Sequence, residues 1–396
     1  MDPLSALLKL SASEKSERGL LHTPQEIAQQ PATWLATFDL LRTRENELSK
    51  FLAAAGVKLP AAERPTVFLI GAGTSDYIGW SLHHLLRTRW QCEVIPVAST
   101  SLLTNFPEYL LKEKRYLWIS FSRSGDSPEG VAVLERALAE RKDILHILVT
   151  CNPGGRMSKA VHGRENCLSI VLDDATNDRG LAMTSSFTNM VLAGQMLAHT
   201  GSLGEYEPIL RALAGAAESF LPKAAALASQ LASAAFKRAC FVGSGLLAGA
   251  ALECALKLLE LTAGKVQTMT QPTLALRHGP MAALNRDTLF VSLISSQEQR
   301  RRYELDLLRE VGSKQLVGRR IAVAMDPDSL EDFAEFVLTP GTGGTKDTIP
   351  DLYRPILDVI FGQLLGLFAS IQVGLKPDNP SPSGAICRVV QNIAIY

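Results

Sequence analysis

A chain of 396 residues is long enough for two globular domains, and 46% apolar against 20% charged residues supplies cores and excludes a disordered protein. Forty basic residues balance forty acidic ones, which argues against a dedicated nucleic-acid or anionic-membrane binder. Cys92, Cys151, Cys167, Cys240, Cys254 and Cys387 lie apart with no CxxC pair. Reduced thiols and a cytoplasmic protein are therefore expected, with neither a disulfide framework nor a zinc site.

Met1–Leu10 is too short for the apolar region of an export signal. The first ordered element is expected at Thr23, where Thr-Pro-Gln-Glu offers a hydroxyl cap, a proline at the first helical position and Glu26 as capping-box partner. A helical run follows Pro31 towards Ala55, and Gly56 to Pro65 reads as a linker. Short apolar runs then alternate with helical segments. Val67–Ile70, Leu117–Phe121, Ile144–Thr150 and Cys167–Leu172 read as doubly buried strands, and Ile78–Arg87, Glu129–Arg141 and Phe187–His199 as the helices between them, which predicts a parallel sheet sandwiched by helices. An alanine-rich helical stretch spans Glu207 to Ala235. The programme then repeats: strand Ala239–Val242, the turn Gly243-Ser244-Gly245, a helix Leu247–Leu261, and strands Thr288–Ile294, Arg320–Ala324 and Phe336–Leu338. Ile356–Leu375 has membrane length, but Asp358, Gln363 and Gln372 within it favour a buried or interface helix. The organisation expected is an N-terminal helical segment over 1–55, an α/β domain over 56–205, a connecting helix over 206–235, a second α/β domain over 236–350, and a C-terminal helix and tail over 351–396.

Two turns in the first domain join a strand to a helix and carry hydroxyls. Gly71-Ala72-Gly73-Thr74-Ser75 suits an anion or a plain tight turn, and Asp76 stands where a dinucleotide fingerprint needs a third glycine. Ser122-Arg123-Ser124-Gly125-Asp126-Ser127 sets three hydroxyls and a cation at a helix start, which suits a phosphate better than the single hydroxyl of a serine cap. Thr184-Ser185-Ser186 could contribute a third such turn. In the second domain Glu253, Lys257 and Glu260 share one helix face. They read as a solvated salt-bridged face or, because their neighbours are mostly leucines, as buried charges with a function. His278, in Arg277-His278-Gly279-Pro280, is a candidate acid or base or a structural histidine. His83 and His84 are adjacent on a helix and are not expected to face one site.

The duplicated unit, GAGTS, SRSGDS, the Glu253–Glu260 helix and Arg-His-Gly-Pro resemble the sugar isomerase (SIS) superfamily, notably the isomerase half of glucosamine-6-phosphate synthase. Asp178–Ser186, Leu258–Lys265 and Arg388–Gln391 resemble more closely the galactosamine-6-phosphate deaminase/isomerase group, also described as tagatose-6-phosphate ketose/aldose isomerases. The resemblance implies α/β architecture with two tandem SIS domains and helical extensions at both ends. It implies that Ser75 meets the sugar and that Ser122, Ser124 and Ser127 bind phosphate with Arg123 in place of a glutamine, while the hydroxyl turn read above adds Thr184 and Ser185 as candidate substrate contacts. Glu260 would move a proton between C1 and C2, His278 would open the sugar ring from a neighbouring subunit, and Glu253 and Lys257 would support Glu260. The synthase tail lysine has no counterpart, Arg388 being the nearest cation. Conversion of galactosamine 6-phosphate to tagatose 6-phosphate with loss of ammonia is the implied reaction. The alternatives are an isomerase acting on a neutral hexose phosphate and a non-catalytic sugar-phosphate sensor. No metal or redox cofactor is called for, and the expected partners are the hexosamine phosphate and a second copy of the chain in a homodimer or dimer of dimers, with no nucleic acid and no membrane.

Overall fold

The computed structural model describes residues 1–341, 349–390 and 393–396. It divides into two compact units, each built on one five-stranded parallel sheet. Residues 32–178, 185–208 and 388–396 form the unit holding β1 (Thr66–Gly71), β2 (Val94–Ala98), β3 (Tyr116–Ser122), β4 (Leu145–Thr150) and β5 (Cys167–Val171). Residues 1–31, 179–184 and 209–387 form the unit holding β6 (Arg238–Gly243), β7 (Gln267–Pro272), β8 (Thr288–Ile294), β9 (Arg319–Ala324) and β10 (Phe336–Leu338). The strand orders, β2-β1-β3-β4-β5 and β7-β6-β8-β9-β10, are the same order written twice.

Mostly apolar runs with a few small hydroxyl residues place β1, β3 and β8 wholly inside, as expected for sheets covered on both faces. On one face of the first sheet Phe68, Trp118, Phe106 and Val133 pack together. On the second, Cys240, Phe290 and Ala322 meet Leu307, Leu308 and Val311 of the helix Glu298–Ser313. β2 and β7 were not expected. Both are the edge strand beside the first strand of their sheet, one containing Pro96 and the other reading Gln-Thr-Met-Thr-Gln-Pro, half exposed along its length. An edge strand needs neither the apolar run nor the full set of amide donors that mark a central one.

Order begins before Thr23. Helices cover Pro3–Leu8, capped by the Asp2 carboxylate, and Ala12–Arg18, with a capping box made by Ser11 and Glu14. The capping box expected at Thr23 does not form. Asp378 caps that helix instead, accepting from the backbone N–H groups of His22 (3.2 Å) and Thr23 (2.8 Å) and from the Thr23 hydroxyl (2.8 Å). Glu26 is thereby released to accept from the amides of Arg179 (2.5 Å) and Gly180 (3.2 Å). A carboxylate brought from a distance has displaced the weaker local hydroxyl.

The single helix expected over Ile78–Arg87 is two, Thr74–Trp80 and His83–Trp90. His83 Nδ1 lies 3.1 Å from the Trp80 carbonyl, and the His83 and His84 ring centroids are 3.9 Å apart.

Pro355–Gln372 is the one helix among the described residues long and apolar enough to cross a membrane, and 89% of it is buried. It crosses the helix Leu246–Leu261 so closely that a Cβ on Gly362 would stand 2.5 Å from Cys254 Sγ, and one on Gly366 2.9 Å from the Lys257 carbonyl. Its apolar faces are covered within the chain, so this run lends no support to a second subunit.

Candidate active site

In parallel sheets the strand-to-helix turns gather at the carboxyl edge, where ligands bind. β1 and β3 are hydrogen-bonded neighbours, so the turns at Gly71–Ser75 and Ser122–Ser127 open at the same edge of the first sheet. Gly71 makes the first turn possible, since a Cβ there would lie 2.2 Å from the Ser75 carbonyl. Ser75 is buried at the start of the next helix. Beside it, burial pushes the Asp76 carboxyl up to about 6, although the Trp80 side chain hydrogen-bonds to it.

The second turn is closed by its own hydroxyls. Ser122 Oγ accepts from Gly125 N–H (3.0 Å), Ser124 Oγ accepts from Asp126 N–H (3.2 Å), and Ser127 Oγ donates to Glu129 (3.2 Å). The loop after β4 braces it from beneath: Asn152 Nδ2 donates to the Ser124 carbonyl (2.7 Å), and Asp126 accepts from Arg156 N–H (2.9 Å). Three hydroxyls, turn amides and the buried Arg123 guanidinium thus stand at one helix start, the donor set an anion needs.

Arg123 Nη2 also donates to the Arg388 carbonyl (3.0 Å), which fastens the C-terminal tail to this loop. The Arg388 guanidinium is itself turned onto the chain, donating to the Asp178 carbonyl (2.7 and 2.9 Å) and to Asn177 Oδ1 (2.7 Å). Its geometry is that of a clamp. Gln391, part of the same motif, lies outside the described residues.

Asp178, which residue patterns did not single out, orders the next turn. Its buried carboxylate accepts from the N–H groups of Ser185 (3.0 Å) and Ser186 (2.8 Å) and from the Ser186 hydroxyl (2.5 Å). The signal was present as an aspartate placed before two serines that open an apolar helix. Thr184 and Ser185 are fully buried, the Thr184 carbonyl accepting from Gln363.

In the other unit, Gly243-Ser244-Gly245 repeats the glycine turn and opens the helix Leu246–Leu261. Glu253 and Lys257 are wholly buried on it. Lys257 Nζ stands 3.4 Å from Glu253 Oε1 and 2.5 Å from Glu260 Oε2. Glu260 keeps 24% of its side chain exposed. The row is therefore no solvated face: it is a buried ion pair ending in one accessible carboxylate. His278 is exposed just after a short 3-10 turn, Thr273–Arg277, which Arg277 pins to Glu310 (2.6 Å) and Asp306 (2.8 Å). The hydrogen bond to Glu310 is the main reason the Arg277 pKa is raised.

No protein-family model matches the chain. A D-galactosamine-6-phosphate deaminase of Escherichia coli O157:H7 is 32% identical over 375 residues, 94% of this chain and 95% of that one. A Streptomyces coelicolor protein named as a candidate D-galactosamine-6-phosphate deaminase is 37% identical over 380 residues, 95% of each chain. The chain belongs to the D-galactosamine-6-phosphate deaminase family. Its structure agrees with that of a tagatose-6-phosphate ketose/aldose isomerase from Escherichia coli at a TM-score of 0.83 and 30% identity, over 94% of this chain and 96% of the other. The two sheets of this deaminase-family chain are the tandem sugar isomerase (SIS) domains expected from its motifs.

Proposed function

We propose that the protein converts galactosamine 6-phosphate to tagatose 6-phosphate and ammonia. The single observation that carries the reading is the accessible Glu260 carboxylate tied to a buried lysine, in a chain whose curated relatives bear the deaminase name. Ser122, Ser124 and Ser127 bind the phosphate with Arg123, Ser75 meets the sugar, and Thr184 and Ser185 are further substrate contacts. His278 moves a proton between O5 and O1 and opens the ring. Glu260 then takes the C2 proton, giving an enolamine, and returns a proton to C1. The C1 aldehyde becomes a hydroxymethyl group and the C2 amine an imine. Water adds to C2 and ammonia leaves, which yields the ketose. Glu253 fixes Lys257, and Lys257 holds Glu260 in place. Arg388 orders the tail beside the phosphate loop.

The exposure of His278 suits a residue lent to a second copy, so the working enzyme is a homodimer or a dimer of dimers, located in the cytoplasm. A neutral hexose phosphate would undergo the same proton transfer without loss of nitrogen, a reading favoured by the similarity to a structure named as a ketose/aldose isomerase. One assay separates the two: ammonia and ketose phosphate are followed together from a panel of hexosamine and hexose 6-phosphates. The deaminase reading requires equal amounts of both products from galactosamine 6-phosphate. Isomerisation of a neutral hexose phosphate without ammonia from any hexosamine overturns it. Glu260→Gln should lower kcat by about 10²–10⁴-fold and abolish solvent-deuterium labelling of the sugar.

A further inference from the structure

The fold contains the phosphate-type turn twice. β8 holds the place in its sheet that β3 holds in the other, and Ser295-Ser296-Gln297 joins it to the helix Glu298–Ser313 as Ser122–Ser127 joins β3 to Pro128–Glu140. The first copy is closed by hydroxyls of its own loop, and among the hydrogen bonds described above for Ser122, Ser124 and Ser127 no carboxylate from a distant segment enters it. The second is filled. Asp351 accepts from Ser296 N–H (3.0 and 3.2 Å) and from the Ser295 hydroxyl, and Glu304 accepts from Ser295 N–H (2.7 Å). Ser244, from the second glycine turn, also hydrogen-bonds to Glu304.

The cation of this cluster is Arg354, fully buried, which donates to Asp351 (3.1 Å), to Asp358 (2.8 Å) and to the Ile294 carbonyl at the end of β8 (2.8 Å). Arg300 approaches Asp351 to 4.0 Å from the solvent side. Glu304 is wholly buried, and its Oε1 has no hydrogen-bond partner among the described residues. Two successive amides, a serine hydroxyl and a guanidinium form the donor set of an oxyanion site. Two carboxyl groups bring to it the oxygens that a bound oxyanion would supply.

We propose that the turn after β8 is a second anion site that the chain keeps permanently occupied, with Asp351 and Glu304 standing where the first copy takes a phosphate. Each chain then binds one phosphate, at Ser122–Ser127, a consequence that rests on the function proposed above. The duplicated turn has become a structural joint, closed to phosphorylated ligands by its own acids.

The test is the response of Asp351→Ala to inorganic phosphate in thermal unfolding of the full chain. Removing Asp351 strands Arg354, the Ser295 hydroxyl and the Ser296 amide, so the variant should unfold several degrees lower. Millimolar phosphate or sulfate should restore at least half of that loss, beyond any shift seen in the wild type, and chloride of equal ionic strength should not. A variant as stable as the wild type, or one that chloride restores equally, overturns the proposal. Should the variant fail to fold, equilibrium dialysis of the wild type with labelled phosphate decides: one equivalent per chain supports it and two refute it. If the wild type binds no phosphate while the variant is rescued, the assignment of Ser122–Ser127 falls and this one stands.

Discussion

Lys257→Met tests the electrostatic design of the proton-transfer helix, because it keeps the aliphatic stem and deletes the charge that Glu253 and Glu260 share. Unit charges about 4 Å apart attract by about 4 kcal/mol at an effective dielectric of about 20. Glu253 and Lys257 are both inaccessible to solvent, so Glu253 would lose its cationic neighbour in the interior. Stranding one member of a buried pair costs about 3–5 kcal/mol, a large share of a total stability of about 5–15 kcal/mol. At about 2–4 °C per kcal/mol, the scale for a cooperative unit of about 200 residues, the Tm of the unit that holds Lys257 should fall by about 6–20 °C. Urea unfolding of Lys257→Met, Glu253→Gln and the double variant closes the cycle. The double variant should regain at least half of the loss, because it removes the stranded charge along with its partner. The reasoning fails if Lys257→Met unfolds within about 0.5 kcal/mol of the wild type, or if the double variant is no more stable than Lys257→Met alone.

His146 is buried on β4 against Trp118, burial holds its pKa down to about 4, and neither ring nitrogen has a partner among the described residues. Its folded value lies below the unfolded value of about 6.5, so the stability it permits is present above that pH and lost as the pH falls towards 4. His146→Phe should flatten the fall in urea midpoint across that window, and an unchanged fall would refute the assignment. Gly366→Ala forces a methyl against the Lys257 carbonyl and should cost about 1–3 kcal/mol while lowering kcat, measured by unfolding and turnover together. Asp178→Asn weakens charged hydrogen bonds worth about 1.5–3 kcal/mol each, so hydrogen exchange should quicken in the first turn of Ser185–Ala198 with little change at its far end.

What the sequence made legible was whatever rests on uninterrupted patterning. β3 and β8 are mostly apolar, and the Gly-x-Gly turns at Gly71 and Gly243 both follow a strand and open a helix, so the duplication could be read directly, while the row Glu253–Lys257–Glu260 stayed open between a solvated face and buried charges. What escaped depends on partners far along the chain. Thr23 and Glu26 form a good capping box on paper, yet Asp378 takes over the cap. Arg388 reads as the cation nearest the missing lysine, but the Asp178 carbonyl and Asn177 Oδ1 hold it. Asp351 and Glu304 carry no local signal, because their meaning comes from the turn they fill.

The Asp378 cap also bears on when the chain can fold. The bonds it makes to His22 and Thr23 join positions 356 and 355 residues apart, and Gln30 meets Gln363 across 333 residues. The first thirty residues therefore leave the ribosome long before the groups that fix them exist. The unit built on β1–β5 draws nearly all its strands and helices from one stretch, residues 32–208, and can assemble while synthesis continues. The unit built on β6–β10 must wait for residue 378 before its N-terminal helices are secured, and contacts of such long range close slowly. During that interval the opening helices are exposed to chaperones and proteases, and the order of translation becomes an order of assembly.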